Sequence, residues 1–333
     1  MKTVFFCNSD KYFHYVYNDA QLEWLKENTD FDGSCYTPDD VRENPARFAD
    51  TEYIFSTWMM PSLGDGEVAS LFPSLRAIFY AAGTVQYFVR PYMKNGVRVF
   101  SAWSANAEPV AEVAAAEILL ANKGFFRASG MKNRDEHAKA DEAFRKFPGN
   151  YGTKVGILGA GMIGKKVIKR LASSDVTVLV FDPFLPDATA DALGVTKCSL
   201  ETVFSECSVV SNHLANNAQT CGMLTGRLFE MMLPHATFLN TGRGAQVNED
   251  ELADVLRRRS DLTAILDVTR TEPPIEESPL WALDNCILTP HLAGSSGNEV
   301  HRMAEYMLDE YRRCVSGKPC LWEVTEAMLE TMA

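Results

Sequence analysis

At 333 residues and 37.0 kDa the chain is longer than one hydrophobic core usually serves, so two domains are expected. With 46% hydrophobic and 23% charged residues it has globular composition, which excludes a disordered chain. A formal net charge of -12 and a pI near 5.1 exclude nucleic acid or an anionic membrane as the natural partner, since both are held by basic surfaces.

The opening "MKTVFFCNSDKYF" has too short an apolar run for a signal segment, and no later stretch has the length of a membrane span. The eight cysteines include no CxxC pair and read as reduced, buried thiols of a soluble cytoplasmic protein. Over the first hundred residues, short apolar runs ("TVFFC", "EYIFSTW", "LRAIFYAAG", "VRVFSAW") alternate with amphipathic stretches ("AQLEWLKEN", "GEVASLF"). That alternation predicts parallel βαβ units. From Glu108 to about Arg127 the chain is rich in Ala, Leu and Glu, with Pro109 near the start; it predicts one long helix joining two domains.

A second alternating series begins at "TKVGILGAGMIG" and continues through the strand candidates "VTVLVFD", "CSVVSNH", "ATFLNTG", "TAILDV" and "NCILTP". The helical "EDELADVLRRR" lies among them, and "NEVHRMAEYMLDEYRRCVSG" is expected to carry the chain back to the first domain. The predicted architecture is α/β, with two doubly wound parallel-sheet domains. A substrate domain of flavodoxin-like type covers 1–107 with 298–333 returning to it, and a Rossmann domain covers 108–297.

Gly159, Gly161 and Gly164 form GxGxxG after the strand "KVGIL" and before a helical stretch. The first glycine permits a tight turn, the second a close backbone approach to a pyrophosphate, and the third close packing of helix on strand. Met162 and Ile163 complete the loop as cofactor-binding candidates. Asp182 ends the next strand, where a carboxylate accepts ribose hydroxyls and repels a 2′-phosphate; "DPFLPD" has no Arg to hold such a phosphate, so NAD is expected over NADP. Further on, Arg243 stands between two glycines, Asp267 ends a strand, Glu272 precedes Pro-Pro, and His291 follows the strand "CIL". Each alone has an ordinary structural explanation. Together they fall at the carboxyl ends of successive parallel strands, the edge where doubly wound sheets bind ligands. No metal site is apparent.

These stretches, "GILGAGMIGKKV", "CSVVSNHLANNAQT", "LNTGRGAQVNEDEL" and "LDVTRTEPP…SPLWALDNCILTPHLAG", resemble the D-isomer-specific 2-hydroxyacid dehydrogenase family from about Asn106 to about Arg302. The resemblance implies NAD-dependent interconversion of a 2-keto acid and a D-2-hydroxy acid, with Arg243, Glu272 and His291 as the catalytic set. It further implies cofactor-lining roles for His213, Thr241, Gly242 and Asp267, and a homodimer formed through the long Ala-rich helix. His291 suits proton donation because imidazole titrates near neutrality, Glu272 would hold the ring, and Arg243 would anchor the substrate carboxylate. Backbone N–H groups of Gly83 and Thr84 would take the other carboxylate oxygens. Here the substrate loop reads Gly83-Thr84-Val85-Gln86 where family members often have Gly-Val-Asp, so the side pocket is not carried over. Asn8–Tyr12 and Thr57–Met60 are further pocket candidates, and the bulk of "STWMM" hints at a non-polar substrate group. The alternative is an NAD(H)-sensing protein like the transcriptional corepressors that the family also resembles.

Overall fold

The computed structural model describes residues 1–330 and divides the chain into two units, Met1–Asn106 with the chain from Ser295 onward, and Ala107–Gly294. The sequence reading placed the crossings one residue later at the first boundary and three later at the second.

The first unit holds β1 (Thr3–Phe6), β2 (Cys35–Tyr36), β3 (Tyr53–Ser56), β4 (Ala77–Tyr80) and β5 (Arg98–Ser101), all parallel in the order β2-β1-β3-β4-β5. This is the flavodoxin-like order. Its strands read as continuous apolar runs because both faces are covered. Val4, Phe6, Ile54, Ile78 and Tyr80 pack into one core, whereas Phe5, Tyr53, Phe55, Ala77 and Phe79 point into the other, together with Met303, Met307 and Tyr311 of the helix Val300–Val315. The C-terminal segment lies along β5, with an antiparallel bridge between Phe100 and Glu323. The buried Glu310 carboxylate accepts the Leu321 and Trp322 amides at 3.0 and 3.2 Å and fastens it there.

The second unit holds β6 (Lys154–Leu158), β7 (Thr177–Phe181), β8 (Thr196–Lys197), β9 (Val209–Asn212), β10 (Thr237–Asn240), β11 (Thr263–Leu266) and β12 (Cys286–Leu288). They form one parallel sheet in the order β12-β11-β10-β9-β6-β7-β8, a Rossmann order extended by one strand. Its register aligns Phe181, Leu158, Asn212, Asn240, Leu266 and Leu288 in one row across six strands. The next residue on each strand therefore emerges on one edge: Asp182, Gly159, His213, Thr241, Asp267 and Thr289.

The long helix differs from expectation. It spans Trp103–Asn122, with Pro109 inside it, and ends before Gly124, whose φ of 68° turns the chain into a separate short helix, Phe125–Ala128. Pro109 stands in the second turn of this helix, where its missing N–H removes one intrahelical hydrogen bond and its ring crowds the carbonyl one turn before it. The cysteines are all free, but only Cys7 and Cys207 are buried, and Cys221 is exposed. No described helix is long and apolar enough to cross a membrane.

Candidate active site

The glycine loop joins β6 to the helix Met162–Leu171, and its three glycines meet three different constraints. Gly159 has φ 84°, and a Cβ there would stand 2.8 Å from the His213 carbonyl oxygen. A Cβ on Gly164 would lie 2.0 Å from the Gly159 carbonyl oxygen, so no side chain fits. Gly161 has nothing within 4 Å of its Cβ position, and the helix start it caps has no side-chain hydrogen bond. The helix start is therefore bare of side chain at Gly161, an arrangement that fits the close approach of a dinucleotide pyrophosphate. Met162 is 41% exposed at the same end, and Ile163 is half-buried. Asp182 is held by backbone donors: Oδ2 accepts from Ala160 N and Oδ1 from Phe184 N, each at 2.8 Å. Each oxygen keeps lone-pair capacity for a ribose diol.

Beyond β9 and β10 lies a buried network of carboxamides. Asn212 Nδ2 donates to Asn240 Oδ1 at 2.9 Å and to Gln246 Oε1 at 2.6 Å. Asn240 Oδ1 also accepts from Gly242 N at 3.0 Å, and its Nδ2 donates to the Arg243 carbonyl at 3.2 Å. Gln246 accepts from Arg243 N at 3.3 Å and donates to the Leu214 and Ala215 carbonyls at 2.8 and 2.9 Å. All three amides are wholly buried. They fix the backbone on both sides of Arg243 and tie that loop to the one after His213. Gly244 leaves no latitude, since a Cβ there would be 1.9 Å from the Thr269 carbonyl carbon. Arg243 itself donates Nη1 to the Gly242 carbonyl at 2.8 Å, and no ion pair engages it among the described residues. Burial lowers its guanidinium's proton affinity, and the nearby Glu272 carboxylate opposes that.

His213 and Thr241 sit side by side and buried, Thr241 Oγ1 lying 3.4 Å from His213 Nδ1 and Ser211 Oγ 2.8 Å from His213 Nε2. Burial pushes the imidazole down to about 4, so it is neutral at pH 7.

Asp267 is buried at the end of β11 and grips the next loop along. Its Oδ1 accepts from Thr289 Oγ1 at 2.6 Å and Leu292 N at 2.8 Å, its Oδ2 from Ala293 N at 3.0 Å, and its carbonyl from His291 N at 3.1 Å. His291 leaves this clasp with φ 54°, a conformation residues with side chains rarely adopt. Its Nδ1 meets Glu272 Oε2 at 2.6 Å, so the imidazole's Nε2 remains for another partner. The sequence reading missed Thr289, the carboxamide network and Glu117. Glu117, on the long helix, has an unpartnered buried Oε2 and is raised to about 7 by burial and by Asp267. A lone Glu in an Ala-rich helix gives no sign of such a setting. Gly83 and Thr84 belong to the first unit, on the turn after β4, where Ser101 Oγ donates to the Ala82 and Gly83 carbonyls at 2.8 and 2.7 Å. Among the described residues no group of three His, Cys, Asp or Glu side chains is placed to hold a metal ion.

Residues 117–293 match the family model described as "D-isomer specific 2-hydroxyacid dehydrogenase, NAD binding domain". The chain is 36% identical over 211 residues to the putative 2-hydroxyacid dehydrogenase YoaD of Bacillus subtilis (strain 168), covering 61% of this chain and 59% of that protein. It is 29% identical over 264 residues to D-3-phosphoglycerate dehydrogenase of Mycobacterium leprae (strain TN), covering 76% and 48%. It thus spans about half the length of the curated relatives it matches. Its fold is similar to the apo form of Rhodotorula graminis D-mandelate dehydrogenase, with a TM-score of 0.81, 20% identity and 98% of both chains covered. A glyoxylate reductase from Paecilomyes thermophila gives 0.72 at 20% identity, covering 98% of this chain and 99% of that one. The second unit is accordingly an NAD-binding domain of Rossmann type.

Two outcomes are expected. His213 is held neutral down to about 4 against an ordinary 6.5, so between those pH values the unfolded chain binds a proton that the folded chain refuses. Stability should fall as pH drops through that window, by about 3 kcal/mol for this group. Urea unfolding from pH 7 to 4 should show a shallower fall for His213→Gln, and an unchanged slope would mean the imidazole is not buried neutral. Gln246→Leu leaves the Arg243 amide and the Leu214 carbonyl unpaired, while the Ala215 carbonyl keeps the Thr220 hydroxyl, and should cost about 3 kcal/mol of unfolding free energy. A loss below about 0.5 kcal/mol, the scale of an ordinary surface change, would show the network to be dispensable.

Proposed function

We propose that this chain, which belongs to the D-isomer-specific 2-hydroxyacid dehydrogenase family, is an NAD-dependent dehydrogenase that interconverts a 2-keto acid and a D-2-hydroxy acid. The observation that carries the reading is the 2.6 Å contact between His291 Nδ1 and Glu272 Oε2 at the ligand-binding edge of an NAD-binding sheet. A ring bonded through Nδ1 presents Nε2 as its proton-transfer atom, and the carboxylate fixes its orientation.

NAD, when bound, supplies or accepts the hydride. Gly161, the amides at the start of Met162–Leu171 and Asp182 would hold its pyrophosphate and ribose; His213, Thr241, Gly242 and Asp267 would line the nicotinamide end. In reduction, His291 gives its Nε2 proton to the carbonyl oxygen as that oxygen gains charge, and Glu272 stabilises the imidazolium that precedes the transfer. In oxidation the neutral ring takes the hydroxyl proton. Arg243 offers a permanent forked cation whose donors, apart from the bond to Gly242, remain for a carboxylate and the polarised carbonyl oxygen. It also answers how a chain of net charge -12 retains an anion. By the family resemblance, the amides of Gly83 and Thr84 are further candidates for the substrate carboxylate. A cytoplasmic homodimer is the assembly this reading favours.

Two kinetic outcomes follow from these assignments. NADH should give the higher kcat/KM, because a 2′-phosphate would meet the Asp182 carboxylate; equal use of NADPH would refute that role. His291→Ala should lower turnover in both directions by about 10²–10⁴-fold with NADH binding retained, and Arg243→Lys should also impair it severely, since a point ammonium cannot span two acceptors. Near-normal kcat/KM in either variant would remove that residue from the mechanism, and failure to reduce any of a panel of keto acids would favour the NAD(H)-sensing alternative.

A further inference from the structure

The two amides that the resemblance offers to the substrate carboxylate lie in a loop that the first unit aims at one end and fastens at the other. Ser101, the last residue of β5, is wholly buried, and its Oγ meets the Ala82 and Gly83 carbonyl oxygens at 2.8 and 2.7 Å. In a planar trans peptide the C=O and the N–H that follows it point in opposite directions. The Ala82 carbonyl shares its peptide plane with the Gly83 amide, and the Gly83 carbonyl shares its plane with the Thr84 amide. One hydroxyl therefore turns both amides to the same side, away from itself. Among the described residues nothing accepts from either amide.

The far end of the loop is Gln86, just ahead of the helix Val89–Lys94. Its Nε2 donates to the Leu329 carbonyl at 2.7 Å, and its Oε1 accepts from Arg90 Nη1 at 3.0 Å. Leu329 belongs to a 3-10 turn, Glu326–Glu330, and its side chain is buried in the same core as Val85 and Phe88 on either side of Gln86. The chain reaches that turn along β5, where Ser101 N donates to the Trp322 carbonyl at 3.1 Å and Val324 N to the Val99 carbonyl at 2.8 Å. Ser101 thus holds the loop through its hydroxyl and the C-terminal segment through its amide, and Gln86 joins the two again. The bonds close a ring in which the loop cannot shift without disturbing the turn.

We propose that Ser101 and Gln86 are positioning residues for the substrate carboxylate: Ser101 aims the Gly83 and Thr84 amides, and Gln86 ties their loop to the C-terminal turn, whose order is thereby coupled to anion binding. This rests on the proposed dehydrogenase reading. The physical basis is directional. A hydrogen bond weakens steeply once its angle falls below about 120°, so amides that swing with a loose loop lose a carboxylate that fixed amides hold. By reciprocity, an anion that binds better to the ordered loop must in turn order the segment that holds the loop. Burial of Leu329 alone would support the fold without this coupling, because apolar contact has no preferred direction.

The test uses the full chain with NADH and oxamate, an inert mimic of a 2-keto acid, and with glyoxylate, pyruvate and phenylpyruvate as substrates. Gln86→Glu keeps the shape and the Arg90 contact but sets a carboxylate oxygen against the Leu329 carbonyl, so it breaks the tie without opening a cavity. It should weaken calorimetric oxamate binding by about tenfold and raise KM for whichever acid is reduced by a similar factor, with kcat and NADH affinity within about threefold. Ser101→Ala should show the same split, and Gln86→Glu, at a half-buried position, carries the test if Ser101→Ala does not fold. In hydrogen exchange read by mass spectrometry, oxamate should slow residues 324–330 of the wild type and leave them unchanged in Gln86→Glu. Unchanged oxamate affinity in Gln86→Glu, wild-type exchange at 324–330 indifferent to oxamate, or a loss of NADH affinity as large as that of oxamate would each overturn the proposal. No oxamate binding and no reduction of any of the three acids by the wild type would instead defeat the dehydrogenase reading beneath it.

Discussion

One buried carboxylate organises the carboxyl edge of the second sheet. Asp267 ends β11 inside the sheet, where an ionised group is tolerable only if donors surround it, and the loop after β12 supplies a hydroxyl and two backbone amides. Those donors come from Thr289, Leu292 and Ala293, so the chain between them has little freedom. His291 is forced outward in a left-handed conformation and meets Glu272 from the neighbouring loop. The His291–Glu272 pair is thus set by an interaction in which neither member takes part through its side chain. Bonds of this kind are shorter and about twice as strong as neutral ones, which accounts for how the strain at His291 is sustained.

The loop carrying Arg243 is fixed by the opposite device. Asn212, Asn240 and Gln246 are neutral, and each offers both donors and an acceptor, so one closed set satisfies six backbone groups without burying a charge. An anion close beneath Arg243 would compete with a substrate carboxylate for the guanidinium. Carboxamides hold the backbone and leave the cation available. Beside them His213 is stripped of its charge by burial and acts as a neutral wall.

Much of this was legible in the chain itself. The glycine spacing, the apolar runs and the polar residues that terminate them are local signals, and they placed ten of the twelve strands and the candidate residues after them. The two-residue strands β2 and β8 went unread, because two residues cannot display a period. The start of the long helix was misjudged at Pro109, since proline marks a first turn far more often than it sits one turn further in.

What the sequence determined alone was which residues end strands and which glycines can only be glycine. What the tertiary structure decided was how those ends line up. Asp182, Gly159, His213, Thr241, Asp267 and Thr289 come from segments far apart in the chain, and only the sheet register sets them on one edge. The roles of Gln246 and Thr289 were invisible for the same reason. A carboxamide or a hydroxyl has no meaning in a linear pattern until folding presents its partners, and hydrogen bonds reach only about 3 Å.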